Sequence, residues 1–400
     1  MNWQEIVDQV FEQFVPDRAL SARLRAEIPG WVTPRAPRPR TLNFRAVQET
    51  TPGSKLSGLF GEFWPSYRAW YLRDGDNARP TLAEARDALQ RYMPELLPIW
   101  QRLIVACKAD EIAATMLTMF DPPAIVRGCS QVVLPGDPVL LRNYDFDAKL
   151  FDAVVLCTDF EGRGVIGTAD QLWGLVDGIN DAGLAASLTF GGRPEVGRGF
   201  GIPIVMRYLL QTCTRVSAAV QALRRIPIHL SYNVTMVDDE GDHATVFVGP
   251  DREPEVVADR ATTNHQDRVF WPAHAEWTRS VERLEALESI VAAPPPGAEA
   301  VAAAMMRPPL RSMDYDGGFG TLYTAVYRPK SGSVSYHWPK STWRFSFVDF
   351  REGEHVVDLG RMPSDHEPQA PRLGRREILE EVAAGKMMPD VAMNLLDEQP

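Results

Sequence analysis

Cysteine is scarce in this 400-residue chain, and its four copies lie far apart. No two of them form a Cys-x-x-Cys pair, and none has a histidine nearby at zinc-finger spacing, which excludes a disulfide framework and a structural zinc site. We expect no metal and no other cofactor. A reducing cytoplasm fits this cysteine usage best, and a free catalytic thiol would persist there.

Long apolar runs and excess positive charge are also missing. No apolar stretch reaches the roughly 18 residues of a membrane-spanning helix, and the first residues lack the basic and apolar regions of a signal peptide. The net charge is −11, from 42 basic and 53 acidic residues. We therefore expect no nucleic-acid partner and no membrane partner.

The chain divides into three parts by pattern. Residues 1–128 predict a helical N-terminal segment, because apolar residues recur at helical spacing and Thr81-x-x-Glu84 forms a capping box. The pattern over residues 129–350 predicts the catalytic domain. The pattern over residues 351–400 predicts a C-terminal extension with a helical hairpin that turns at Gly385-Lys386.

Within the central part, short β-type runs are joined by tight turns, which favours antiparallel pairing. Helices follow these strands, including one predicted over residues 275–291, and further strands come after them. Strands, then helices, then strands again indicate an α+β domain with layered, mostly antiparallel sheets.

The change from helical to strand-rich sequence falls at Gly128-Cys129. A thiol with an ordinary pKa of about 8.5 is only slightly ionised at neutral pH and needs a base. An N-terminal α-amine, whose pKa is about 7.7–8.0, is the one base certain to lie beside a first-residue side chain. Cleavage before Cys129 would supply both groups from one residue. The alternative interpretation is a buried structural cysteine after a loop glycine.

Arg142-x-x-Asp145 follows Cys129 through a tight turn. A hairpin of this length returns Arg142 and Asp145 to the start of the first strand. There Asp145 would hold the amine, and Arg142 would lower the pKa of the thiol by its charge. The alternative is a surface ion pair at a strand end.

Five more residues are candidates for the same site. Asn180 lies in a turn between two apolar strands and Asn264 follows another short strand, so the amide of either would serve as an oxyanion donor. His265 is a candidate base, and Arg279 and Arg283 on the following helix would reach the site. The ordinary alternatives are turn formation for Asn180, packing for His265 and a solvated helix face for the arginines.

One glycine motif points to a different function and is rejected. The run from Gly162 to Gly167 matches G-x-G-x-x-G after a strand, but the sequence that follows is not an amphipathic helix. A dinucleotide site needs that helix N-terminus for the pyrophosphate. We predict a hairpin turn here and no bound nucleotide.

Together these residues resemble the acyl-coenzyme A:6-aminopenicillanate acyltransferase-like family of cysteine N-terminal-nucleophile hydrolases. Choloylglycine hydrolases and acid ceramidase are its more distant relatives. The similarity covers about residues 125–350. The shared motifs, in the family's order, are Gly128-Cys129, Arg142-x-x-Asp145, Gly178-x-Asn180-x-x-Gly183-Leu184, Thr263-Asn264-His265 and a helical arginine at 279 or 283.

The resemblance implies a four-layer αββα fold and a zymogen that cleaves itself between Gly128 and Cys129, leaving chains 1–128 and 129–400 associated. It implies that Cys129 is the nucleophile and that its α-amine is the base. It further implies an orienting role for Asp145, a position beside the thiol for Arg142, and oxyanion or pocket roles for Asn264 and Asn180.

We therefore predict an autoproteolytically activated cysteine amidohydrolase or acyltransferase. Its substrate would be a small N-acyl amide or acyl thioester, attacked through an acyl-enzyme on Cys129. A homo-oligomer is compatible with the sequence. Two alternatives stay open: a conventional cysteine hydrolase with internal Cys129 and His265 as its base, and a non-catalytic scaffold of the same fold.

Overall fold

Two mostly antiparallel β-sheets pack face to face between outer layers of helices, so the fold is the predicted α+β, four-layer αββα sandwich. The computed structural model describes residues 41–126, 128–292, 297–315 and 318–360. The first 40 residues of the predicted helical N-terminal segment and the predicted hairpin at Gly385-Lys386 lie outside these residues.

Nine α-helices are present in this part of the chain, and the two that begin at Leu82 and Glu111 start at a side-chain cap, from Thr81 and Asp110. The predicted capping box is confirmed, because the Thr81 hydroxyl accepts from the Glu84 amide and the Glu84 carboxylate accepts from the Thr81 amide. Among the described helices, none is long and apolar enough to cross a bilayer. The helices are α1 Ser54–Tyr71, α2 Leu82–Tyr92, α3 Leu97–Ala106, α4 Glu111–Met116, α5 Ile202–Thr212, α6 Val216–Arg225, α7 Pro272–Trp277, α8 Ser280–Ala292 and α9 Ala298–Met305.

The strands form one nine-stranded and one seven-stranded sheet. The large sheet has the order β10-β9-β8-β7-β6-β5-β4-β1-β16, and β1 and β4 are its one parallel pair among the described residues. The small sheet has the order β11-β2-β3-β13-β14-β15, with β12 added on β13. The strands are β1 Thr41–Glu49, β2 Gly128–Leu134, β3 Val139–Phe146, β4 Val154–Phe160, β5 Arg163–Asp170, β6 Gly174–Asn180, β7 Ala185–Phe190, β8 Tyr232–Val237, β9 His243–Gly249, β10 Arg252–Val257, β11 Ala261–Thr262, β12 Met313–Asp314, β13 Phe319–Arg328, β14 Ser333–Trp338, β15 Ser341–Ser346 and β16 Gly353–Asp358.

The layers of the sandwich contact one another at three levels. Helix α5 packs on β5 and β6 at the outer face of the large sheet. Helices α8 and α9 cover the small sheet, where Leu287 and Val301 pack with Val132 and Leu141. Between the sheets, the Gln131 side chain donates to the backbone and hydroxyl acceptors of β8, and this polar contact joins the two sheets.

The N-terminal segment is not wholly helical, because it also contributes β1 to the large sheet. In this strand Leu42, Phe44 and Ala46 are buried and alternate with more exposed residues, the period of two that a half-buried strand requires. Strand β1 pairs with both β4 and β16. The fold therefore extends beyond the predicted boundary at residue 350, to the end of β16.

The helix predicted over residues 275–291 is two helices. Arg279, at φ 50°, adopts the left-handed conformation that ends α7, and α8 starts at the next residue. The Arg283 side chain then donates from Nε to the Thr278 carbonyl oxygen at 2.8 Å. The break thus helps to fix the direction of Arg283. The G-x-G-x-x-G run lies in the β4–β5 hairpin, as predicted.

Candidate active site

The hairpin of β2 and β3 brings the predicted central residues together. Gly128 pairs with Asp145, and Cys129 pairs with Tyr144. Because cross-strand partners share one face of a sheet, Cys129 and Arg142 face the space between the sheets, whereas Asp145 faces the helices on the outer side. All of these side chains are buried. The predicted return of Arg142 and Asp145 to the start of the first strand is confirmed.

The Cys129 thiol lies against a guanidinium group in the space between the sheets. Arg142 donates from Nη2 to Sγ at 3.0 Å. Burial raises the pKa of the Cys129 thiol, and the positive charge of Arg142 opposes that rise. In the intact chain, therefore, Arg142 holds the thiol in place, and the charges of Arg142 and Arg283 both favour the thiolate against the effect of burial.

Arg142 is itself fixed by the large sheet. Its Nη1 donates to the Asp177 carboxylate on β6 at 2.6 Å, and both groups are fully buried. Two tyrosine hydroxyls, from Tyr323 and Tyr327, donate to the same carboxylate at 2.6 Å each. A buried carboxylate with these three partners is well satisfied, so Asp177 orients Arg142 rather than acting on a substrate.

Arg283 is the centre of a second group on the outer side of the hairpin. Its Nη1 donates to the Asp145 carboxylate at 2.8 Å and to the Cys129 carbonyl oxygen at 3.0 Å. Thr321 donates to the other carboxylate oxygen of Asp145 at 2.6 Å. Burial raises the pKa of Asp145, and the Arg283 charge and the Thr321 hydroxyl oppose that rise. Arg283, not Arg279, is thus the helical arginine that reaches the site.

Asn264 contacts Cys129 through its side-chain oxygen. Arg283 donates from Nη2 to Asn264 Oδ1 at 2.6 Å, and because a guanidinium can only donate, this contact fixes which amide atom is the oxygen. The same Oδ1 accepts from the Cys129 backbone N–H at 3.0 Å. The residue therefore holds the nitrogen of the Gly128–Cys129 peptide bond, and its predicted role as an oxyanion donor stays a prediction.

The structure leaves three predicted residues outside this cluster: Asn180, Arg279 and His265. The Asn180 amide donates to the Leu210 and Cys213 carbonyl oxygens and its Oδ1 accepts from the Leu184 amide, so Asn180 supports a hairpin and the end of α5. Both N–H groups of the Asn180 amide are therefore in use, and none remains for an oxyanion. The predicted role of Asn180 in the site is wrong in the intact chain. Arg279 is half exposed and pairs with Glu282.

His265 lies near the cluster without touching the thiol among the described contacts. Its Nδ1 is 2.8 Å from the Ser280 hydroxyl oxygen. Burial lowers the pKa of His265, and the nearby Arg283 charge lowers it further. An imidazole in these surroundings is a weaker base than a solvated one, which disfavours the conventional cysteine hydrolase.

Gly128 packs directly under an aromatic ring. A Cβ placed on Gly128 would lie 1.7 Å from Cε2 of Phe319, so only glycine fits here without displacing that ring. Phe319 stacks at a tilt on Trp277 and also lies 5.2 Å from the Arg283 guanidinium carbon. The structure thus gives a steric reason for glycine before Cys129.

Several residues of the site were missed by sequence reasoning. Thr321 and Phe319 come from β13, and Asp177 comes from the other sheet. Their partners lie far away in the chain, so no local spacing reveals them. Asp177 carried one signal, since a carboxylate in an otherwise apolar strand needs a buried partner.

The αββα fold is the one expected of the N-terminal-nucleophile type of hydrolase or acyltransferase. The model of the family described as acyl-coenzyme A:6-aminopenicillanic acid acyl-transferase matches residues 133–343, more than half of the chain. The chain belongs to that family. The predicted family resemblance is confirmed, and with it the general kind of activity, cleavage or transfer at acyl amides.

Three solved structures are similar to this chain at low sequence identity. A mutant conjugated bile acid hydrolase from Clostridium perfringens is 11% identical, covers 57% of this chain and 96% of its own, and has a TM-score of 0.42. Penicillin V acylase from Agrobacterium tumefaciens is 16% identical, with coverages of 59% and 93% and a TM-score of 0.40. A Caenorhabditis elegans ortholog of N-acylethanolamine-hydrolyzing acid amidase is 15% identical, with coverages of 55% and 99% and a TM-score of 0.39. No curated protein matches the sequence.

Proposed function

We propose that this protein is a self-activating cysteine amidase or acyltransferase whose nucleophile is Cys129. The observation that carries the proposal is the set of contacts around one peptide bond. Arg142 holds the thiol, Asn264 holds the peptide nitrogen, and Arg283 holds the following carbonyl oxygen. A structural cysteine would need none of these three contacts.

Maturation starts from the arrangement described above. The Cys129 thiol attacks the Gly128 carbonyl carbon, the bond from that carbon to the Cys129 nitrogen breaks, and the nitrogen takes up the thiol proton. Water then hydrolyses the thioester, which releases Gly128 as a carboxylate and leaves Cys129 with a free thiol and a free amine. A cavity of about 320 Å³ is lined by Arg283, by the exposed Arg279 and by Phe319, whose ring packs on Gly128, and we expect that water to enter from this cavity.

The same groups then act on the substrate. The new α-amine takes the thiol proton as the sulfur attacks an amide or thioester carbonyl, and it returns the proton to the leaving amine. Asn264 Oδ1 accepts from the Cys129 N–H in the intact chain and would accept from this amine after cleavage. Arg283 links Asn264 to Asp145, so Asp145 would orient the base through Arg283 and Asn264. Arg142 stabilises the thiolate by its charge.

The N-terminal chain stays bound after cleavage in this account. Strand β1 lies between β4 and β16 in the large sheet, and its apolar side chains are part of the main core. Removing it would expose both neighbouring strand edges. We therefore expect residues 1–128 to copurify with residues 129–400.

A substrate panel tests the proposal. Matured protein is incubated with N-acyl amines and acyl thioesters, with and without a second amine, and the released acids and new amides are measured by mass spectrometry. We expect release of a free acid from at least one class, and a new amide if an amine is the normal acceptor. A matured chain that processes no member of either class would overturn the proposal.

A further inference from the structure

The N-terminal segment and the catalytic domain enclose a cavity of about 360 Å³. Six of its twelve lining residues are apolar or aromatic, and Leu150 at the rim leaves half of its side chain exposed. The other six are polar, and four of these are charged: Arg73, Lys149, Asp152 and Asp170. A concave site that combines an apolar part with a few polar groups is typical of a small-molecule pocket. The apolar lining residues are Phe63, Tyr67, Trp70, Ile125, Leu150 and Phe151.

Two polar atoms of residues that line this cavity are buried, with less than 1 Å² of accessible surface each, and have no hydrogen-bond partner. Gln171, only 6% exposed, leaves its Oε1 unpaired, and the Trp70 indole N–H is also unpaired. Buried polar atoms are almost always paired in folded proteins. These two atoms are closed to a ligand in the cavity, so the ligand site is inferred from the shape of the cavity, its partly apolar lining and its position relative to Cys129.

The backbone beside Gln171 is strained. Gln171 and Leu172 have φ values of 53° and 75°, in the left-handed region that side chains other than glycine disfavour. The Tyr67 hydroxyl on α1 accepts from the Leu172 amide at 3.0 Å and so stabilises this turn. Strain of this kind collects at functional sites and needs such support.

The cavity is close to Cys129 along two paths. Ile125 lines it and precedes Cys129 by four residues, which bounds the distance between their Cα atoms at about 14 Å. On the other side, the Phe151 ring lies 5.4 Å from the ring of Tyr144, the cross-strand partner of Cys129. A chain attached to the thiol would therefore need a length of at most about 14 Å to reach the lining of the cavity at Ile125.

The maturation step shows which part of a substrate would take this path. In the thioester formed during self-cleavage, the acyl group on Sγ is the chain that ends at Gly128 and includes Ile125. A substrate's acyl group occupies the same position on Sγ in the acyl-enzyme. We propose that the cavity binds the far end of an apolar acyl group, so that the preferred substrates are amides or thioesters of longer apolar acids. This inference rests on the proposed function.

A blocking substitution on α1 tests the assignment. Ser66 is exposed and lines the cavity, so Ser66→Trp fills it from the helix surface, while Ala69→Trp adds the same side chain to α1 away from the cavity. The substrates are the acetyl, octanoyl and dodecanoyl amides of one amine. Each newly buried methylene is expected to raise kcat/KM by roughly 4-fold in the wild type, from about 0.8 kcal/mol per group.

Ser66→Trp is expected to lower kcat/KM for the dodecanoyl amide at least about 10-fold and to change the acetyl amide by less than about 2-fold. Ala69→Trp should leave both values near those of the wild type. Equal effects of Ser66→Trp on both amides, or a wild type with no preference for longer chains, would overturn the inference while leaving the proposed function intact.

A binding measurement separates the two claims. Dodecanoic acid is titrated into the full-length Cys129→Ala protein by calorimetry, with and without Ser66→Trp or Ala69→Trp. We expect binding that only Ser66→Trp weakens, by at least about 10-fold. If dodecanoic acid binds to the Cys129→Ala protein but the matured wild type hydrolyses no amide, the proposed function and the substrate assignment would both be wrong. No binding in the protein without either tryptophan would overturn the cavity assignment alone.

Discussion

Replacing Cys129 with alanine is expected to abolish amide hydrolysis and to leave the chain in one piece. Loss of a nucleophile that acts together with its base costs about 10⁶-fold in kcat in a well-studied hydrolase, and we expect an effect of that order here. The reason is that this one residue supplies the attacking sulfur and, after cleavage, the base. Turnover of the best panel substrate and the mass of the purified chain provide the measurements.

Two control variants make this result specific. Cys157→Ala removes another buried thiol, from strand β4, and should retain activity within a few-fold. His265→Ala tests the conventional alternative, in which that imidazole is the base. If His265→Ala were inactive while Cys129 remained an internal residue of an uncleaved chain, the α-amine mechanism would be wrong.

Arg283→Met is expected to lower the free energy of unfolding by about 3–5 kcal/mol and to prevent maturation. Arg283 and Asp145 are 1% and 0% exposed and are paired at 2.8 Å, so removing the cation leaves a buried carboxylate with no charge partner among its described contacts. The substitution also removes the donors to the Cys129 carbonyl oxygen and to Asn264. Denaturant unfolding of the full chain measures the first effect, and intact mass measures the second.

Arg279→Met is the matched control for this prediction. It lies on the same part of the chain, is half exposed, and forms a surface pair worth less than about 1 kcal/mol. The double variant Arg283→Met/Asp145→Asn removes both buried charges and should regain part of the lost stability without regaining cleavage. A double variant no more stable than Arg283→Met would show that the ion pair is not the source of the loss.

The parts of the fold that could be predicted are those with local signals. The capping box at Thr81 and Glu84 fixed the start of α2, and the short spacing between β2 and β3 predicted the hairpin that joins Cys129 to Arg142 and Asp145. Strand β16 could not be predicted in this way. Only one face of it is covered, and it depends on β1, which lies more than 300 residues earlier.

The candidate site shows the same limit. Cys129, Asp145 and Asn264 could be named because each stands near the start or end of a strand in an ordered motif. Arg142, in the middle of β3, could be named because it shares a motif with Asp145. The choice between Arg279 and Arg283 required the helix break, which depends on one left-handed residue and carries no composition signal. Asn180 was misassigned because its amide is used by the carbonyl oxygens at the end of α5, a contact between elements that no local pattern shows.

The central claim is that the peptide bond between Gly128 and Cys129 breaks without another protein. Its most direct test is the intact mass of the purified wild-type chain, followed over time beside Cys129→Ala. The account predicts that the 44.7 kDa wild-type chain is replaced by two associated chains, one ending at Gly128 and one beginning at Cys129, while the variant stays whole. A wild-type chain that remains at 44.7 kDa and still hydrolyses amides would contradict it.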